Sequence, residues 1–151
     1  MNLFDTEIVA RQHIKLYIPN YRFKWFNRKQ TFGMCSSREK IIYLSKSLCL
    51  ANDLDRIKDT ILHEIAHALA PKDGHNFIWE EVFKTLGGSG RARFDETNTN
   101  VIKGRFKYKC GNCGFVRGFF RRIKRSYACP HCCKKYNSNR YTDKFKLRRI
   151  E

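Results

Sequence analysis

Residues 61–75 read Ile61-Leu62-His63-Glu64-Ile65-Ala66-His67-Ala68-Leu69-Ala70-Pro71-Lys72-Asp73-Gly74-His75, and they decide how the chain is read. From Asp53 to Ala70 the apolar residues Leu54, Ile57, Ile61, Ile65 and Leu69 recur at three- and four-residue spacing, which predicts the longest helix of the sequence. On such a helix His63 and His67 lie about 40° apart and one turn up, so both imidazoles can reach one ion. Glu64 follows the first of them and sits beside a metal without binding it. Pro71–Gly74 stops the helix and reverses the chain, which makes His75 the expected third ligand. Of the two other histidines, His13 belongs to an N-terminal helix and His131 to a different motif.

Three protein ligands leave zinc a fourth position for water, whose pKa falls to about 7. A carboxylate alongside can take that proton and deliver it to a leaving amine. The residue types and their spacing therefore point to metal-dependent hydrolysis, with His63, His67 and His75 as ligands and Glu64 as the catalytic base.

A second constellation is Cys110-Gly111-Asn112-Cys113, fifteen residues, then Cys129-Pro130-His131-Cys132. Two Cys-x-x-Cys pairs at this distance predict a zinc ribbon. Four thiolates close a tetrahedral site with no open position, so this zinc is structural. Cys133 duplicates the last ligand, and Cys132 is preferred because its spacing matches the first pair. Cys35 and Cys49 read as small buried residues. Two Zn²⁺ per chain are expected, one catalytic and one structural.

Charge divides the chain. Among 151 residues, 31 are Lys or Arg and 14 Asp or Glu, for a net charge of +17. Residues 1–100 hold 15 basic and 12 acidic side chains, residues 101–151 hold 16 and 2. An excess of this size suggests a polyanionic partner. Arg105, Lys107, Arg117, Arg121, Arg122, Lys124 and Arg125 alternate with aromatic residues including Tyr127. Cations neutralise phosphates and exposed rings stack on unpaired bases, so the expected partner is a nucleic acid, single-stranded or partly unpaired. A ribbon this small also uses some of its aromatics as core. The tail Lys144–Arg149 extends the basic track or serves as a targeting signal, and the sequence leaves both open.

With 42% hydrophobic and 14% aromatic residues the chain is too apolar to be disordered. No apolar run approaches the roughly 18–20 residues of a membrane span. The acidic start Met1–Glu7 lacks the profile of a signal peptide. An intracellular monomer with reduced thiols and no membrane partner is expected. Elsewhere the pattern predicts a helix over 6–16, capped by Asp5-Thr6, with Ile8, Val9 and Ile14 facing a core. Tyr21–Phe26 and Lys40–Leu44 read as two strands of a small antiparallel sheet joined by residues 27–37. A helix over 76–86 turns Phe77, Val82, Phe83 and Leu86 inward. Turn formers at 86–90 and 95–100 place the boundary between a domain of residues 1–100 and a basic module of residues 101–151.

Gly33, Ile41-Ile42-Tyr43-Leu44-Ser45, Leu62–Ala68 and Gly74-His75 with Phe77 resemble the SprT-like (Spartan-type) zinc metalloproteases, over roughly residues 5–135. The resemblance implies a compact α+β zincin-like domain followed by a β zinc ribbon. In the Spartan branch it implies a DNA-dependent protease that trims proteins crosslinked to DNA. The expected function is zinc-dependent endopeptidase activity on DNA-bound or DNA-crosslinked proteins, stimulated by DNA. The alternative is a zinc-ribbon nucleic-acid-binding protein with vestigial or no protease activity, and a weaker one is a transcription accessory protein.

Overall fold

The computed structural model of the chain describes residues 2–93 and 102–150. They form a mixed α+β structure that divides into two compact units, Met1–Ile102 and Lys103–Glu151. The turn-forming stretch 95–100 lies outside the described residues.

The first unit opens with α1 (Leu3–Tyr17), which begins three residues before the expected start. Asn2 is the cap, its side-chain oxygen accepting from the Asp5 N–H at 2.8 Å. Thr6 is inside the helix, donating its hydroxyl to the Asn2 carbonyl at 3.1 Å. The inward face is Thr6, Ala10 and Ile14. Val9 packs at the edge of the core, whereas Ile8, expected inside, is exposed.

Three strands follow, β1 (Arg22–Phe26), β2 (Gly33–Ser36) and β3 (Ile41–Ser45). The expected antiparallel pairing of the first and last is incorrect. β1 and β3 run parallel, with Arg22 opposite Ile41 and Phe26 opposite Ser45. Residues 27–37 are no simple hairpin loop but contain β2, which takes the antiparallel place on β3, Gly33 opposite Leu44. The order β1-β3-β2 leaves β2 as an edge. β3 is the buried centre, with Ile41, Ile42, Leu44 and Ser45 nearly inaccessible.

Ser45 ends β3 and caps α2 (Lys46–Ala51), a short helix that the periodicity does not reveal. Asp53 then caps α3 (Leu54–Leu69), accepting from the Arg56 N–H at 2.9 Å. Ile57, Ile61 and Ile65 are fully buried and join Phe23, Phe32, Ile42 and Leu44 in the core, while Leu69 is exposed. Asn76 caps α4 (Phe77–Thr85). Its inward residues are Trp79 and Phe83. Phe77, expected inside, is 73% exposed, because the helix phase set by Asn76 turns it outward.

The second unit holds β4 (Phe106–Cys110), β5 (Val116–Phe119), α5 (Pro130–Tyr136) and β6 (Leu147–Arg149). Both β5 and β6 pair antiparallel with β4. The end of the basic tail is thus a strand of this sheet, Arg148 opposite Lys109 and Arg149 opposite Tyr108, after a 3-10 turn over Asp143–Phe145. Tyr108, Phe145, Leu147 and four cysteines form its core. Among the described residues no helix is long and apolar enough to cross a membrane.

Candidate metal centres

Helix α3 sets His63 and His67 one turn apart, and the turn after it returns His75 to them. The Asp73 N–H donates to the Ala70 carbonyl at 3.2 Å, and the Asn76 N–H to the Asp73 carbonyl at 3.0 Å. Gly74 bends the chain with φ +56°, a conformation glycine adopts freely. The three Nε2 atoms then converge: 3.2 Å from His63 to His67, 3.0 Å from His67 to His75, and 3.2 Å from His75 to His63. Nitrogens about 2.0–2.1 Å from one zinc in tetrahedral directions are about 3.3 Å apart, so the set fits that ion. His63 is buried, His67 half-buried and His75 exposed, which leaves the site open on one side.

The imidazoles stand on a fully buried Trp79, whose ring centroid lies 4.7 Å from His63, 5.2 Å from His67 and 4.6 Å from His75. Phe83 closes the same floor, 5.4 Å from His63. Sequence reasoning missed Trp79. Its signal was the four-residue spacing from His75 on one side and to Phe83 on the other. Burial, reinforced by the neighbouring imidazoles, holds His63 down to about 3. Burial and His75 hold His67 down to about 4. Both rings are therefore neutral at physiological pH, the form that offers a lone pair to a metal.

Glu64 is buried at 6% exposure. Burial pushes its carboxyl up to about 8, opposed by a hydrogen bond from the Cys35 backbone N–H. A buried carboxylate with no cation partner is costly, and a divalent ion beside it favours the ionised form. Opposite the carboxyl lies Gly33 of β2, where a Cβ would come within 2.7 Å of both Glu64 Cγ and Oε1.

The second donor set comprises Cys110, Cys113, Cys129 and Cys132, whose sulfurs all lie within 4.8 Å of one another. Cys110 ends β4, and the turn after it closes through the Gly114 N–H on the Cys110 carbonyl at 3.0 Å. Cys129 caps α5, which carries Cys132. The Cys110–Cys132 sulfurs are 3.9 Å apart and those of Cys113–Cys129 3.5 Å. Four sulfurs about 2.3 Å from a tetrahedral zinc are about 3.8 Å apart. Burial raises the Cys110 thiol, yet the backbone N–H groups of Cys113 and Asn112 bring it to about 7. The Asn112 amide donates to the Cys132 sulfur at 3.4 Å. Cys133 is buried beside the set but outside it, Cys49 is buried under the first sheet, and Cys35 is half-buried.

All eight residues expected to contact nucleic acid are exposed. Arg105 and Arg122 gather over the ring of Phe106, 4.6 and 5.9 Å from its centroid. Arg149, from the basic tail, joins them at 5.5 Å. Arg117 covers Phe119 at 5.1 Å, and Tyr127 lies against the same ring at 5.3 Å. Lys107 alternates with Phe106 and Tyr108 along β4 and so faces the other side of the sheet. Arg121, Lys124 and Arg125 belong to the segment between β5 and α5.

Residues 3–112 match the SprT-like family, which takes in all of the first unit's described elements and Cys110, the first of the four clustered cysteines. The chain belongs to the SprT-like family. Among solved structures, this SprT-like chain is similar to the metallopeptidase zymogen jannalysin of Methanocaldococcus jannaschii. The identity is 18% over 62% of this chain and 86% of that one, with a TM-score of 0.48. The zymogen abylysin of Pyrococcus abyssi gives 18% identity over 59% and 83%, with a TM-score of 0.45. No curated protein matches the sequence.

Proposed function

We propose that this SprT-like chain is a zinc-dependent endopeptidase that acts on proteins bound or crosslinked to DNA and is stimulated by DNA. The observation that carries the reading is three imidazoles whose Nε2 atoms meet within 3.2 Å, with the buried carboxyl of Glu64 next along the helix from the first of them. A purely structural His₃ site has no use for a buried carboxylate. His63, His67 and His75 would hold a zinc ion, which would supply a Lewis acid for the scissile carbonyl and a lowered pKa for the attacking water. Glu64 Oε takes the proton from the attacking water and passes it to the leaving amine. The neutral rings of His63 and His67, packed on Trp79, keep the ligands in place as the carboxyl changes charge.

A second zinc, held by Cys110, Cys113, Cys129 and Cys132, makes the C-terminal unit a zinc ribbon. Its sixteen cations face two acids in the sequence, and the described one, Asp143, already accepts from the Tyr141 hydroxyl at 2.7 Å. Guanidiniums laid on Phe106 and Phe119 beside exposed Tyr127 suit phosphates and unpaired bases together. DNA bound there acts as a scaffold that raises the local concentration of protein targets.

The test uses one DNA-binding protein and one short free peptide as substrates, each with and without single-stranded DNA. DNA should accelerate cleavage of the protein and leave peptide cleavage unchanged. Equal cleavage of the protein with and without DNA at low salt would contradict the scaffold. No cleavage of either substrate would leave a nucleic-acid-binding protein without protease activity.

A further inference from the structure

We infer that Gly33 is a positioning residue for Glu64, its missing side chain being the space in which the carboxyl is held for proton transfer. The inference rests on the reading of Glu64 as the base. Three observations carry it.

Gly33 is the first residue of β2, paired with Leu44, and its φ is not in the left-handed region where only glycine is comfortable. Its backbone would therefore accept any residue. Paired strand positions favour β-branched and aromatic side chains, and a glycine in a strand often marks a site that another group approaches closely. What approaches is Glu64. A Cβ on Gly33 would lie 2.7 Å from Glu64 Cγ, 2.7 Å from Glu64 Oε1 and 2.9 Å from Thr60 Cγ2. An ordinary contact begins at 3.4 Å, so the carboxyl would have to retreat by about 0.7 Å.

The opposite restraint comes from the same strand. β2 is an edge with β3 on one side only, so an N–H on its open side has no ladder partner. The Cys35 N–H takes the Glu64 carboxylate as acceptor. Cys35 is two residues from Gly33, and the two positions share one side of the pleat. The carboxyl is thus pressed against bare backbone at Gly33 and tethered at Cys35. An added methyl pushes it off both restraints while leaving His63, His67 and His75 untouched. A displacement of this order costs on the order of tenfold to a hundredfold in rate when a reacting group must be held to within about an ångström.

The experiment uses the full zinc-loaded chain in a Thr60→Ser background, which removes the second contact and keeps the hydroxyl that donates to the Arg56 carbonyl at 3.0 Å. Wild type, Gly33→Ala, Glu64→Gln and the double variant are compared for zinc content by native mass spectrometry and for kcat and KM on a short peptide. Gly33→Ala should keep its zinc and its KM and lose at least tenfold in kcat. In the Glu64→Gln background the same substitution should change the residual rate by less than twofold, because it acts through Glu64. A kcat within twofold of wild type, or an equal loss in both backgrounds, would overturn the inference. Full activity of Glu64→Gln would instead overturn the reading beneath it. If Gly33→Ala does not fold, adding Glu64→Asp, one methylene shorter, should restore the fold, and failure to do so would count against the inference.

Discussion

The two units hold their metal donors in opposite ways. In the first, the core of Ala10, Ile14, Phe23, Ile42, Leu44, Ile57, Ile61 and Ile65 contains none of the three histidines. They project from α3 and the turn beyond it onto a separate floor of Trp79 and Phe83. In the second, Cys110, Cys129 and Cys132 are three of the seven buried core residues, so three of the four donors belong to the core, with Cys113 exposed. A unit of about fifty residues has too little apolar surface to fold securely unaided. The larger unit's core stands apart from its histidine donors, whereas the smaller unit's fold would be linked to a metal held by its cysteines.

The largest effect should follow from breaking the second arrangement. Cys129→Ser leaves three thiolates, and because metal binding there is folding free energy, the C-terminal unit should lose its structure. His75→Ala should remove one zinc and leave both units folded. Hydrogen exchange read separately for the two units checks this. Loss of protection in the first unit with His75→Ala would break the contrast.

The charge difference gives the next effect. Reversing Arg121, Arg122, Lys124 and Arg125 should abolish DNA stimulation and leave cleavage of a free peptide unchanged. For the wild type, if six to ten phosphates are contacted, DNA affinity should fall by about 10³–10⁵ between 50 and 200 mM salt. A flat salt dependence measured by fluorescence anisotropy would show that the excess charge serves something else. Arg149→Ala should weaken binding less than the fourfold reversal, since it removes one guanidinium of the three over Phe106.

Smaller effects sharpen the picture inside the first unit. Trp79→Ala should cost about 3–5 kcal/mol of stability in urea denaturation, as for a large aromatic removed from a packed interior. Phe77→Ala, two residues away but 73% exposed, should change stability by no more than about 0.5 kcal/mol. Comparable losses for the two would mean that α4 is turned differently.

These two residues also show how far the sequence could be read. The donors are grouped by short spacings: four residues on one helix, one tight turn to His75, and two Cys-x-x-Cys loops. Such local geometry is legible in a string of letters. Helix phase in a nine-residue element is not, because Phe77, Ile78, Trp79, Val82 and Phe83 supply apolar residues on every side. The sheet was read wrongly for a different reason. β2 is four residues, Gly33-Met34-Cys35-Ser36, with no alternation to announce it, and strand direction depends on partners distant in sequence. In the tail, β6 is only three residues, Leu147-Arg148-Arg149, too short and too charged to announce a strand. The support of Glu64 by Gly33 and Cys35 joins residues about thirty apart in the chain, and no local pattern encodes it.

The most direct test of the central claim counts zinc and hydrolysis in the same samples of wild type and Glu64→Gln. Two zinc ions per chain are expected in both by native mass spectrometry. Peptide hydrolysis should fall by about 10²-fold or more in Glu64→Gln, the scale of lost general-base assistance. Undiminished hydrolysis in a carefully repurified Glu64→Gln carrying two zinc ions would contradict the account.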